Sequence, residues 1–176
     1  MRSRNDPPKI TVHPFTVESG NLRSWLDQLD DMIDEDSLMV ITSSDPVYGP
    51  SHVSSAFHHA FRAMGNGTAR AKDPSIEVLR WLTGSRQVSR ALKISEMKED
   101  SILLVMITKP TDSDRLLEVN PDRWDNKEIQ GLIPLDPDEK DIWGGSRSRS
   151  LLAIGPEVAE RELELAVLEK VASTDL

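Results

Sequence analysis

Arg86, Gln87, Arg90 and Lys93 fall within one short stretch, Gly84-Ser85-Arg86-Gln87-Val88-Ser89-Arg90-Ala91-Leu92-Lys93. Their chemistry is anion recognition. Guanidinium and ammonium groups hold phosphate through charge-assisted hydrogen bonds, and a primary amide can read a base edge. At about 100° per residue on a helix, Arg86, Arg90 and Lys93 lie within about 60° of one another, opposite Val88, Ala91 and Leu92. Arg62, Arg70 and Lys72 lie just upstream. Residues 51–95 carry seven Lys and Arg against Asp73 and Glu77, a net of +5, in a chain whose formal charge is −9. Such asymmetry points to a face that meets an anion or an acidic partner. The competing reading is an ordinary solvated helix face, which charge runs usually form. Trp81 also has two readings, a base-stacking platform or half-buried core.

Other chemistries find less support. His52, His58 and His59 stand at i, i+6 and i+7, whereas helical metal ligands need i, i+3 or i, i+4, so solvated or helix-capping histidines are expected and no metal. Gly65-Asn66-Gly67-Thr68-Ala69-Arg70-Ala71-Lys72 has the flavour of a phosphate loop, but it follows a helical pattern rather than a strand. A loop that touches a nucleic-acid backbone and a plain connector remain open there. The acidic pairs and runs (Asp30-Asp31, Glu35-Asp36, Asp136 to Asp141) read as solvated surface. No Gly-x-Ser-x-Gly elbow is present, and no catalytic constellation or cofactor site is expected. Zero cysteines removes disulfides and thiolate chemistry and fits a reducing cytoplasm. The longest apolar run, Ile102 to Ile107, is strand-sized, so no membrane span is expected. The first eight residues lack the apolar segment of a signal peptide and read as a flexible N-terminus. An isoelectric point near 4.9 confines any nucleic-acid contact to the basic window.

The elements that must position these residues follow from hydrophobic periodicity. Lys9 to Val17 reads as a strand that Pro14 bends or confines to an edge. Asn21 caps a helix running to about Asp34, with Leu22, Trp25, Leu26, Leu29, Met32 and Ile33 inward. Leu38 to Ile41 is a short buried strand. Ser51 caps a helix to Met64 with Val53, Ala56, Phe57, Ala60, Phe61 and Met64 inward. Asp73 and Pro74 open a third helix, with Ile76, Leu79 and Leu82 as its stripe and Gly84 as its stop. A fourth helix spans Ser85 to about Ile94, and Ser101 to Thr108 is a buried strand. Four prolines make 109–150 mostly loop, with a helix near Asp138 to Trp143 and a mobile run over Ser146 to Ser150. Leu151 to Ile154 reads as a last strand, and Gly155-Pro156 opens a final helix to about Ala172. The whole predicts one α/β domain over 9–176: a mixed β-sheet, helices clustered between the second and third strands, and a C-terminal helix.

Several spaced motifs resemble one family. Glu77-Val78-Leu79, Gly84-Ser85-Arg86-Gln87-Val88 and Ala91-Leu92 occur in order, preceded by His52, Ala56, His59-Ala60, Arg62-Ala63, Gly67 and Ala71. Asp45-Pro46-Val47-Tyr48-Gly49 and the closing Val167-Leu168-Glu169-Lys170-Val171-Ala172 with Asp175-Leu176 also fit. Together they resemble the PRPK-binding-protein (TPRKB-like) family, the small kinase-binding subunit of the KEOPS complex. Arg80 and Pro74 depart from positions that are commonly apolar, and 110–150 matches poorly. The resemblance implies a non-catalytic subunit in the synthesis of threonylcarbamoyladenosine on tRNA. Its partners would be the small KEOPS protein kinase and, indirectly, the threonylcarbamoyl transferase subunit. It further implies a hold on the unpaired 3′ CCA end of tRNA, with phosphate contacts from Arg62, Arg70, Lys72, Arg86, Arg90 and Lys93. Gln87 would read a base edge or be a buried structural amide. The alternative is a protein-only adaptor that activates or stabilises the kinase. Absent cysteine and short length suit an archaeal member.

Overall fold

The computed structural model describes residues 9–18, 20–30, 33, 35, 37–98, 101–108, 118–120, 132–136 and 142–176. The expectations for the first eight residues, for most of 109–141 and for the acidic run beyond Asp136 lie outside them. Strand β1 (Lys9–Val17) is followed by α1 (Leu22–Asp30), β2 (Leu38–Ser43), α2 (Pro50–Gly65), α3 (Pro74–Leu82) and α4 (Val88–Ile94). Then come β3 (Leu103–Thr108), β4 (Glu118–Asn120), β5 (Leu132–Pro134), α5 (Ser148–Leu151) and α6 (Leu163–Ala172). The expected mixed sheet, the helices between its second and third strands, and the C-terminal helix are all present.

The sheet runs β2-β3-β1-β4, with β5 also on β1. The β2–β3, β1–β3 and β1–β5 pairs are antiparallel and β1–β4 is parallel. Strand β1 is therefore interior, which corrects the edge expected from Pro14. The proline is tolerated because of where its missing N–H would point. Pro14 Cα pairs with Leu104, and its carbonyl accepts from Leu135 N on the opposite flank. That flank passes from β4, opposite Lys9 to Thr11, to β5, opposite Phe15 to Val17, so Pro14 falls in the interval between two ladders.

Period-2 alternation splits the core between the faces of the sheet. Ile10, Val12, Val40, Leu104 and Met106 pack on Val53, Phe57, Ala60, Phe61, Val78, Leu79 and Leu82 of α2 and α3. Phe15, Val17, Leu103 and Val105 face Trp25 and Leu29 of α1. Phe15 meets Trp25 edge-on at 6.1 Å. A smaller cluster of Leu152, Leu163 and Val167 seats α6 beside Tyr48 and Ile154. Each such fully buried side chain contributes about 1.5–3 kcal/mol.

Several boundaries differ from expectation. Helix α1 is described as far as Asp30, and most of the expected stretch on to Asp34 lies outside the described residues. Helix α2 begins at Pro50 with Gly49 before it, so Ser51 is inside the helix and caps nothing. No side chain caps the helix; His52 instead ties the preceding loop down, with Tyr48 N donating to its Nδ1 at 3.0 Å. Leu151 to Ile154 is not a strand. Ser148–Leu151 is helical and the chain then turns at Ala153, φ +55. Arg149 drives that turn by donating to the Gly155 carbonyl at 2.8 Å. The run expected to be mobile is thus folded into a short helix with Ser148 buried. The last helix starts at Leu163 after a single turn at Glu160–Glu162, rather than at Gly155-Pro156.

Candidate nucleic-acid interface

The site is built around a buried ion pair. Helix α3 opens as expected: Asp73 Oδ1 accepts from Ser75 N at 2.8 Å and Ile76 N at 3.4 Å. Ser75 Oγ and those amides hold the Asp73 carboxyl below its ordinary range. Six consecutive residues of the helix, Glu77 to Leu82, are then buried. A single apolar stripe would not produce this. The helix is enclosed between α2, α4, α6 and the C-terminal segment, so its polar side chains need partners inside the protein.

Glu77 and Arg80 are both 0% exposed and satisfy one another. Arg80 Nε donates to Glu77 Oε2 at 3.1 Å and Nη2 to Oε1 at 2.8 Å, a bidentate fork. A second fork reaches Asp175, with Nη1 to Oδ1 and Nη2 to Oδ2 both at 2.9 Å. The Ser85 carbonyl accepts from Nη1 at 3.0 Å. Glu77 further accepts from Trp81 Nε1 at 2.9 Å and from the backbone N–H of Arg70 at 3.2 Å and Ala71 at 2.9 Å. Burial pushes the Glu77 carboxyl up, but Arg80, Ala71 N–H and Trp81 outweigh it, and the net direction is down. Burial opposes the Arg80 charge, and Glu77 and Asp175 outweigh it, so the guanidinium is held more firmly protonated. Asp175 is lowered chiefly by its bonds to Arg80. One buried pair thereby fixes two segments that carry surface cations, the 70–72 loop through Glu77 and the 83–87 turn through Ser85, and ties both to the C-terminal residues through Asp175.

Sequence reasoning counted Arg80 with the surface charge and missed this hub. The signal available was the i, i+3 spacing of Glu77 and Arg80 on a short helix. Trp81 is 6% exposed, its N–H is committed to Glu77, and His59 stacks on it at 5.0 Å. It is core, and the platform reading falls. His52, read as a solvated or capping residue, is buried: its Nε2 meets the Leu82 carbonyl at 2.7 Å, tying α2 to the end of α3.

The seven candidate residues do not form one face. Arg86, Gln87 and Arg90 line one cleft of about 430 Å³ with Thr83, Gly84, Ser85, Lys170, Ser173 and Thr174. Arg62 and Arg70 line another of about 370 Å³ with His59, Asn66, Thr68 and Asp175. Lys72 and Lys93 are exposed and line neither. Helix α4 begins at Val88 rather than Ser85, so Arg86 sits in the turn before it and does not stack with Arg90 and Lys93 on a helical face. Arg86 Nε instead donates to the Thr174 carbonyl at 3.3 Å. Gln87 is exposed with no cap bond, which excludes the buried-amide reading.

Gly84 gives the first cleft its floor. Its φ is +62, and a Cβ there would stand 2.9 Å from Lys170 Cγ. The turn therefore needs glycine both for its backbone and for the lysine stem laid across it. Lys170, unassigned by the sequence reading, thus enters the site from α6. In the second cleft burial, Arg62 and His58 lower the His59 pKa and favour its neutral ring. Among the described residues no group of three His, Asp or Glu is placed to hold a metal ion, and no helix is long and apolar enough to cross a membrane.

Fold and site together define a mixed α/β domain that offers two shallow clefts with arginine in each, braced by an internal ion pair. Residues 19–131, more than half of the chain, match the family model described as kinase binding protein CGI-121. The chain belongs to that family, in agreement with the spaced motifs around Glu77 and Gly84 to Val88. No curated protein matches it.

Proposed function

We propose that the chain is the small, non-catalytic kinase-binding subunit of a cytoplasmic KEOPS complex. In this reading it also holds the unpaired 3′ CCA end of tRNA while the transferase subunit makes threonylcarbamoyladenosine. Family membership supports the kinase-binding half. The composition of the first cleft carries the tRNA half: Arg86, Arg90 and Lys170 line it with no carboxylate among the lining residues. An exposed amide, Gln87, stands beside them and is free of any capping duty. A cleft of this size in an acidic protein suits a short single-stranded tail, whose splayed bases expose their edges, better than a long duplex.

The test is fluorescence anisotropy of the chain with labelled tRNA, intact or stripped of its CCA end, at two salt concentrations. Three cationic contacts give a log–log salt slope of about −2 for a single strand. Tail-dependent binding that Arg86→Glu weakens about tenfold or more supports the reading. Binding indifferent to the tail, or to Arg86→Glu, overturns the tRNA half and leaves the protein-only adaptor.

The kinase face is assigned to the outer side of α6. Leu165 is 62% exposed there, in a groove with Val158 and Ala166 rimmed by Glu162 and Glu169. Leu165→Asp is expected to weaken kinase binding at least tenfold in a pull-down titration, as loss of an apolar anchor does, while tail binding stays unchanged. Loss of tail binding with kinase binding intact would reverse the assignment.

A further inference from the structure

The two clefts lie back to back across the C-terminal segment. Thr174 lines the first and Asp175 the second, so their backbones are about one residue apart, roughly 3.8 Å between Cα atoms. What differs is charge. The first cleft is lined by three cations and no acid; the second sets Asp175 against Arg62 and Arg70. The Asp175 carboxylate is engaged on both oxygens by Arg80 at 2.9 Å and by Arg70 Nε at 3.3 Å. Its side chain keeps 23% exposure, so part of that negative charge faces the cleft. Two oxygens spanning two guanidiniums are what a bound phosphate would also present.

We propose that Asp175 is a built-in anion that occupies the phosphate seat of the second cleft and confines a bound strand to the first. It is thus a specificity-determining residue. It neutralises Arg70 and repels an incoming phosphodiester where a longer strand would otherwise continue past Thr174, so the protein accepts a short free end and rejects extended single-stranded or duplex RNA. The segment itself does not depend on Asp175 alone. Arg86 Nε holds the Thr174 carbonyl, and Thr174 Oγ1 donates to the Lys170 carbonyl at 3.2 Å. Arg80 retains its fork to Glu77 when Asp175 loses its charge. In Asp175→Asn the neutral amide oxygen can still accept from Arg80. The inference rests on the tail-holding reading for its biological sense, but its charge logic is testable apart from it.

The experiment compares wild type, Asp175→Asn and the double variant Asp175→Asn with Arg70→Gln, using a labelled eight-nucleotide oligouridylate and tRNA with and without its tail. Asp175→Asn should bind the oligonucleotide about three- to tenfold more tightly, with a steeper salt slope, and should bind tailless tRNA nearly as well as intact tRNA. Adding Arg70→Gln should cancel the gain, which a change of general charge or fold would not do. Unchanged or weaker binding by Asp175→Asn, with its circular dichroism preserved, overturns the gate, as does a gain that survives Arg70→Gln. If wild type ignores the tail while Asp175→Asn still gains oligonucleotide affinity through Arg70, the gate stands and the tail-holding reading fails.

Discussion

Glu77→Ala is expected to lower the stability of the domain by about 3–5 kcal/mol, the cost of leaving a buried charge without its partner. The carboxylate is 0% exposed and accepts five hydrogen bonds, from Arg80 twice, Trp81, and the backbone of Arg70 and Ala71. Alanine removes all five acceptor contacts at once and leaves Arg80 to Asp175, whose side chain is partly in water. Urea unfolding should show the fall as a lower midpoint with its slope preserved. Glu77→Gln, which keeps two acceptor sites on one oxygen and the shape of the side chain, should cost clearly less. A loss below about 1 kcal/mol for Glu77→Ala would mean that Asp175 and solvent replace the partner fully, and the hub would have no structural standing. The pH sign follows from the lowered carboxyl. The unfolded glutamate takes a proton before the folded one does, so this contribution is complete above the ordinary glutamate range and lost as pH falls through the folded value.

The same network explains why the candidate site reads so incompletely from sequence. The sheet and helices were legible because their signals are local and repetitive. Alternation in Ile10, Val12, Phe15 and Val17 and helical spacing in Trp25, Leu26 and Leu29 each report one buried face. The Asp73-Pro74 start and the Gly84 stop of α3 are local as well, and both stand where expected. What failed was whatever depends on partners distant in the chain. Pro14 looks like an edge residue until β4 and β5 are seen dividing one flank of β1 between them. Arg80 looks like surface charge until Asp175, 95 residues away, arrives to bind it. The final helix looks longer in sequence than it is, since acids after Gly155-Pro156 favour a helix start without compelling one there.

The cation cluster shows the limit most plainly. Charge counting placed seven basic residues in one window and could not tell that one is internal, four divide between two clefts, and two line neither. Arg86 and Gln87 are exposed, but the helical-wheel argument that joins Arg86 to Arg90 and Lys93 assumes a helix from Ser85, and α4 starts three residues later at Val88. The partner that completes the cleft, Lys170, sits on α6 and lays its stem where a side chain at position 84 would stand. No spacing rule links positions 84 and 170. The site is therefore a product of tertiary structure, and its boundaries are set by Glu77, Arg80 and Asp175 rather than by the residues that would touch a ligand.

Acidification should destabilise the domain well before its carboxylates titrate, and His52 is the reason. Burial lowers its pKa from 6.5 to about 4, with the bond to the Leu82 carbonyl opposing only part of that shift. Its geometry demands the neutral ring, because Tyr48 N–H donates to Nδ1 and leaves Nε2 to carry the proton toward Leu82. A proton on Nδ1 would break the Tyr48 bond and place an unpaired charge in the core. The unfolded chain has no such constraint and protonates near 6.5. Stability is thus fully present above 6.5 and is lost as pH falls toward 4, by about 2 kcal/mol at pH 5 and about 3 kcal/mol near pH 4. His59, also lowered, adds in the same direction. Glu77, Asp73 and Asp175 are lowered carboxyls whose contributions vanish only below the ordinary carboxylate range, so the window from pH 5 to 6.5 isolates the histidines. Urea midpoints measured across that window should fall steadily for the wild type. His52→Gln should start less stable and show a much flatter profile, since glutamine keeps a donor and an acceptor but does not titrate. A wild-type profile that stays level from pH 6.5 to 5 would show that His52 accepts its second proton without penalty, and that the link it makes between Tyr48 and Leu82 does not hold α2 against α3.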